Sequence, residues 1–148
     1  MRVYVDTSVI GGFYDKEFEE ATIKLFKKVE KGEIILVVSD LLEAELLRAP
    51  AQVRNHLGKY SKKSIEKVEL TREAATLADR YIAEQVVGKT SRADCQHIAI
   101  ATLNKVDILV SWNFKHIVNL TRIRGYNSVN LKLGYVMIEI RTPEEIIE

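Results

Sequence analysis

The sequence predicts an α/β domain built around a parallel sheet. Three observations carry this: four short runs rich in Val, Ile or Tyr, helical-period stretches between them, and no Asn-Gly hairpin turn. The apolar runs are mostly continuous rather than alternating, as in strands whose two faces are both covered by helices.

RVYV (2–5) is the first strand and stops abruptly on Asp6, Thr7 and Ser8. Gly11 and Gly12 follow, and read as local backbone freedom. Glu17 to Lys31 then sets Ala21, Leu25, Phe26 and Val29 on one helical stripe, with Gly32 as its stop. EIILVVS (33–39) is the second strand. Its last residue, Ser39, is a good N-cap for a helix over Asp40–Arg48, which Pro50 ends. Residues 51–63 read as weakly patterned helix. Thr71–Val87 carries Ala74, Leu77, Ala78, Tyr81 and Ile82, and Arg92–Asn104 carries Cys95, Ile98, Ala99, Ala101 and Leu103. DILVS (107–111) and GYVMIEI (134–140) are the remaining strands. Thr142-Pro-Glu-Glu opens a short terminal helix, with a cap, proline in first position and acids in the first turn.

At 148 residues the chain reads as one domain, 1–148, without repeat, linker or low-complexity tract. One cysteine excludes an internal disulfide framework and a cysteine metal cluster, and suits a reducing compartment. MRVYV is too short for a signal peptide, and no apolar run approaches the roughly 18 residues of a membrane span. The expected location is therefore the cytoplasm, with no membrane contact. A net charge of +1 gives no global attraction to nucleic acid. Yet Arg48, Arg54, Lys59, Lys62, Lys63 and Lys67 are opposed only by Glu66. That stretch is either a solvated helix face or a patch for phosphates or an acidic partner.

Ligand crevices of open α/β sheets lie beyond the carboxyl ends of the strands. Asp6 follows the first strand, a helix bearing Asp40, Glu43 and Glu45 follows the second, and Trp112 and Asn113 follow Ser111. The loop GKTSRAD places Asp94 in the first turn of the next helix. Carboxylates gathered on one rim repel one another unless a cation neutralises them. Oxygen-only ligation suits Mg²⁺ or Mn²⁺ and not zinc. Each residue also has a plainer reading. Asp6 is a favoured helix cap, Ser91-x-x-Asp94 is a capping-box pattern, and Glu45 is an ordinary solvated acid. His97, one turn after Asp94, is either turned toward the same site or, as lone helical histidines usually are, a packing or surface residue. Cys95 reads as a small buried hydrophobe. No P-loop, dinucleotide fingerprint or zinc spacing is present. The second acid of an aspartyl-phosphate site is replaced by Ser8, which disfavours a phosphate-accepting regulatory domain.

VYVDTSVI, VSDLLEAELL, RADCQHIAIA and ILVSWNFKHI, in this order, resemble the motifs of PIN-domain ribonucleases, and within them the VapC-type toxins of toxin–antitoxin pairs. The resemblance runs from residue 3 to about residue 118. It implies a PIN-like three-layer α/β/α fold with a central, mainly parallel sheet. It also implies divalent-metal-dependent hydrolysis of RNA phosphodiester bonds with Mg²⁺ or Mn²⁺ as cofactor. Carried onto this chain, the family's acids fall on Asp6, Glu45 and Asp94, with Glu43 in reserve for Glu45. Supporting hydroxyls fall on Thr7 or Ser8 and on Ser111. Asn113 takes the place of a fourth acid, a departure that exchanges a carboxylate for a neutral carbonyl oxygen and points to one metal rather than two. Arg48, Arg122 and Arg124 are candidate RNA phosphate contacts. An antitoxin partner and a homodimer are further implications. The alternative is a catalytically weak or silent PIN-like domain that acts by binding RNA or protein.

Overall fold

The computed structural model describes residues 1–88 and 91–148. Five strands, β1 (Arg2–Val5), β2 (Ile35–Ser39), β3 (Ile65–Val68), β4 (Ile108–Val110) and β5 (Ile140–Arg141), form one sheet in the order β3-β2-β1-β4-β5. Every neighbouring pair is parallel. The chain first winds outward from β1 to β3, then returns to the other side of β1 to add β4 and β5. The crevice between β1 and β4 is thus the point where the winding reverses, the place where such sheets bind ligands.

Among the described residues, eight α-helices surround the sheet: α1 (Thr7–Gly12), α2 (Glu19–Glu30), α3 (Asp40–Leu46), α4 (Ala51–Arg54), α5 (Arg72–Ala83), α6 (Arg92–Leu103), α7 (Leu120–Lys132) and α8 (Pro143–Ile146). One core lies between the sheet and α5, α6 and α7, and takes Tyr4, Val37 and Leu109 from the strands. The other takes Val3, Val5, Leu36, Val38, Ile108 and Val110 and packs them on α1, α2 and α3. Alternate residues of each apolar run therefore enter opposite cores, which is why the runs are continuous. The result is the expected α/β/α fold. No helix among the described residues is long and apolar enough to cross a membrane.

Several boundaries differ from expectation. Residues 51–63 hold α4 and short 3₁₀ turns at 56–59 and 62–64 rather than one helix. The strand expected at 134–140 pairs only at Ile140 and Arg141. Upstream, the side-chain amide of Asn127 donates to the Ile138 carbonyl (3.1 Å) and its oxygen accepts from the Ile138 N–H (2.7 Å), so those groups do not enter the ladder. Strand β3 and helices α1 and α7 are additions. Gly32 stops the second helix as expected, in the left-handed region at φ +75°. The loop residues Lys89 and Thr90 of GKTSRAD lie outside the described residues.

Candidate active site

The register Val5↔Val110 sets the residues that follow, Asp6 and Ser111, side by side at the mouth of the crevice. Asp6 stands at the N-cap position of α1, but its side chain makes no capping hydrogen bond. Instead Oδ1 accepts from the Ser8 hydroxyl and Oδ2 from the Ser111 hydroxyl, each at 2.6 Å. Both serines are fixed in turn. Ser8 Oγ accepts from the Trp112 N–H (2.9 Å) and Ser111 Oγ from the Asn113 N–H (2.9 Å). Asp6 is only 4% exposed. Burial pushes its carboxyl above the usual carboxylate range, against the charge of His97 and the two serine hydroxyls.

Asp94 sits half-buried in the first turn of α6, and the Ser91 side chain makes no capping bond there. Its carboxyl is also raised, first by burial and then by the like charge of Asp6, against His116, His97 and the amide of Asn113. The two aspartates, remote in sequence, therefore share one electrostatic site.

Glu45 projects from α3. Its Oε1 accepts from the Thr7 hydroxyl (2.7 Å) and lies 2.6 Å from His97 Nε2. Burial pushes its carboxyl up, but the hydrogen bond and charge of His97, with the Thr7 hydroxyl, outweigh this and hold it low. Glu43 is turned away and pairs with Lys67 on β3 at 3.4 Å. Among the described residues, no three His, Cys, Asp or Glu side chains are gathered closely enough to enclose a metal ion by themselves.

Asn113 lies beside Asp94, but its carbonyl oxygen accepts from the backbone N–H groups of Lys115 (3.2 Å) and His116 (3.0 Å). That oxygen is used by an Asx-type turn, and it is the amide that helps keep Asp94 ionised. Arg48 and Arg124 are exposed, whereas the Arg122 guanidinium donates to the Val86 carbonyl. Cys95 is fully buried, and desolvation pushes its thiol up to about 12, as an inert core residue.

Sequence reasoning left Tyr4 outside the site, read Ser39 only as a helix cap at the strand end, and left His97 open between the site and a packing role. His97 is 2% exposed, with Nε2 on Glu45 and Nδ1 on the Tyr4 hydroxyl (2.6 Å), which lies 2.8 Å from Ser39 Oγ. The available signal was the three-residue spacing from Asp94 to His97, which places both on one helix face.

Neither a family model nor a curated protein matches the sequence. Among solved structures, the fold is similar to a chain of VapBC2 from Rickettsia felis, a crystal structure bound to a DNA fragment from its promoter. The TM-score is 0.62 at 14% identity, over 96% of this chain and 98% of that one. The likeness is one of fold, and it bears out the three-layer α/β/α architecture with a central parallel sheet.

Proposed function

We propose that this protein is a divalent-metal-dependent endoribonuclease that hydrolyses RNA phosphodiester bonds in the cytoplasm as the toxin of a toxin–antitoxin pair. The observation that carries this reading is the pair Asp6 and Asp94 at the reversal point of the sheet, close enough for one charge to raise the other's proton affinity. A hard cation relieves that repulsion. The donors are all oxygen, which fits Mg²⁺ or Mn²⁺. Mg²⁺ commonly uses one or two carboxylates and keeps several waters, so a closed protein cage is not required. Asp6 and Asp94 would hold the ion, with Glu45 as the third donor. A bound ion supplies Lewis-acid polarisation of the phosphoryl group and a hydroxide-like nucleophile.

The chain's own residues provide the rest. Ser8 and Ser111 hold both oxygens of Asp6 in one orientation. Glu45 is kept ionised by His97 and Thr7, as a carboxylate that donates to a cation must be. Arg48 and Arg124 are free to meet the phosphates of single-stranded or looped RNA. Arg122 is less available, because its guanidinium is engaged with Val86. The neighbour's description as VapBC2 supports an antitoxin partner. Its expected dock here is α3 with the basic stretch after it, and a homodimer completes the proposal. The Asx turn of Asn113 and the open ligand set favour a second reading, a silent domain that binds RNA or protein.

The test is RNA cleavage by purified protein with Mn²⁺ or Mg²⁺. Cleavage is expected in the wild type and in Glu43→Gln, and is expected to be lost in Asp6→Asn, Glu45→Gln and Asp94→Asn. Cleavage retained by Asp6→Asn, with contaminating nuclease excluded, refutes the metal assignment. RNA binding without cleavage under either ion replaces the first reading with the second.

A further inference from the structure

We infer that His97 is a positioning residue: held by Tyr4 and Ser39, it locks Glu45 so that Oε1 is occupied and Oε2 alone is presented to a divalent ion. This rests on the metal-dependent reading above.

A buried rail of polar groups crosses the core beneath the site. The Leu42 N–H donates to Ser39 Oγ (3.1 Å), the Tyr4 hydroxyl lies 2.8 Å from that oxygen and 2.6 Å from His97 Nδ1, and His97 Nε2 lies 2.6 Å from Glu45 Oε1. Tyr4 and Ser39 are fully buried and His97 nearly so. The rail joins three elements, with Tyr4 on β1, Ser39 at the end of β2 and His97 on α6. Burial of this kind is costly unless every group is paired, and here both ring nitrogens are.

The proton placement at Glu45 follows from donor and acceptor capacity. An ionised carboxylate only accepts, so the nitrogen facing it must carry hydrogen. Nε2–H therefore donates to Oε1. On the far side of the ring the Tyr4 hydroxyl donates to Ser39 Oγ, which leaves the Tyr4 oxygen to accept from Nδ1–H. Thr7 adds a second donor to the same Oε1 at 2.7 Å. Oε2 has no protein donor among the described residues, while Glu45 remains partly exposed. A side chain held by one oxygen and open at the other is oriented for a ligand. Hydrogen-bonded partners of metal ligands are commonly worth about 10–100-fold in metal affinity or activity.

The deciding variants separate the two nitrogens. In His97→Gln the amide nitrogen takes the place of Nε2 and keeps the donation to Glu45. In His97→Asn the amide reaches only the Tyr4 side, so Glu45 loses its donor. The readout is Mn²⁺ affinity of the RNA-free protein by calorimetry, with circular dichroism and melting temperature as folding controls. His97→Asn is expected to weaken Mn²⁺ binding by about tenfold or more, and His97→Gln by no more than about threefold. In cleavage assays the His97→Asn defect is expected in kcat, with KM for RNA little changed. The inference is overturned if His97→Asn binds Mn²⁺ as tightly as wild type, or if the two variants weaken it equally. Where neither variant folds, Tyr4→Phe decides: it keeps the ring and removes the hydroxyl, and unchanged Mn²⁺ affinity in it overturns the inference. Wild-type protein that binds no Mn²⁺ and cleaves no RNA refutes the proposed function itself, a different outcome from normal wild-type behaviour matched by the variants.

Discussion

The adjacent glycines of α1 make opposite predictions. A Cβ added at Gly12 would lie 2.8 Å from Cδ1 and Nε1 of Trp112 and 2.9 Å from Thr22 Oγ1. The indole has little room to retreat, since its Nε1–H donates to that same Thr22 oxygen (2.9 Å) and its face stacks on Phe18 at 4.4 Å. Overpacking a close-fitted site costs about 1–3 kcal/mol, and disturbing the indole hydrogen bond about 1 kcal/mol more. Against this, alanine in a helix gains about 0.5–1 kcal/mol over glycine. Gly12→Ala is therefore expected to destabilise by about 1–3 kcal/mol, lowering the melting temperature by roughly 2–4 °C for each kcal/mol in a chain of this size. At Gly11 an added Cβ meets nothing within 4 Å, so Gly11→Ala keeps only the gain, about 0.5–1 kcal/mol. Thermal melts and urea titrations of the two variants measure the difference, and Trp112 fluorescence reports the displaced indole. The packing argument fails if Gly12→Ala melts with the wild type, or if both variants are destabilised alike.

His56 offers a pH test away from the carboxylates. It is fully buried between Tyr14 and Tyr60, whose hydroxyls lie 2.7 and 2.8 Å from its two nitrogens. Desolvation, helped by the charge of Lys59, lowers its pKa to about 4. The unfolded chain, with histidine near 6.5, binds more protons between these values, so stability is complete above pH 6.5 and falls as pH falls toward 4, by about 3 kcal/mol. His56→Gln should flatten that limb in urea titrations across pH 7 to 4, and an unchanged slope would show that the histidine is not its source. Asn113→Asp keeps the two backbone acceptor bonds but sets a carboxylate against Asp94. Its metal-free melting temperature should fall and its Mn²⁺ affinity rise, and no gain in affinity would place residue 113 away from the ion.

The parts of the fold legible in the sequence are those where burial alone dictates residue type. RVYV, ILVVS and ILV are apolar because both faces are covered, and composition is enough to find them. Strand β3 is IEKV, a sheet edge, where charge is tolerated and guards against unwanted pairing. Its Glu66 is spent on a bidentate pair with Arg2 (2.9 and 2.6 Å), a long-range contact with no local signature. Helix α7 is rich in asparagine and holds Gly125, where a Cβ would sit 2.7 Å from Val86. Its residues answer to partners elsewhere rather than to helical periodicity. In the site, the acids are legible because strand ends in such sheets face the crevice. His97 is not, because a histidine that braces a carboxylate and one that packs in a core look alike until Tyr4 and Ser39 are placed beside it.

The Asp6-Thr7-Ser8 triplet gathers these points. Three successive side chains at the start of a helix would ordinarily compete to cap it, yet none of them caps α1. Asp6 receives the two serines, Ser8 receives the Trp112 N–H as it gives its proton to Asp6, and Thr7 gives its own to Glu45 on α3. The triplet thus ties β1 to the end of β4 and to α3 at one point. A helix start that forgoes its own cap gives up about 1 kcal/mol, and burial of a carboxylate beside another carboxylate costs more. Neither serves the fold, since an asparagine at position 6 carries no charge and can cap the helix. The arrangement accords with the proposed role of Asp6 as a cation ligand, and the stability gained by Asp6→Asn in metal-free protein would measure what that role costs the fold.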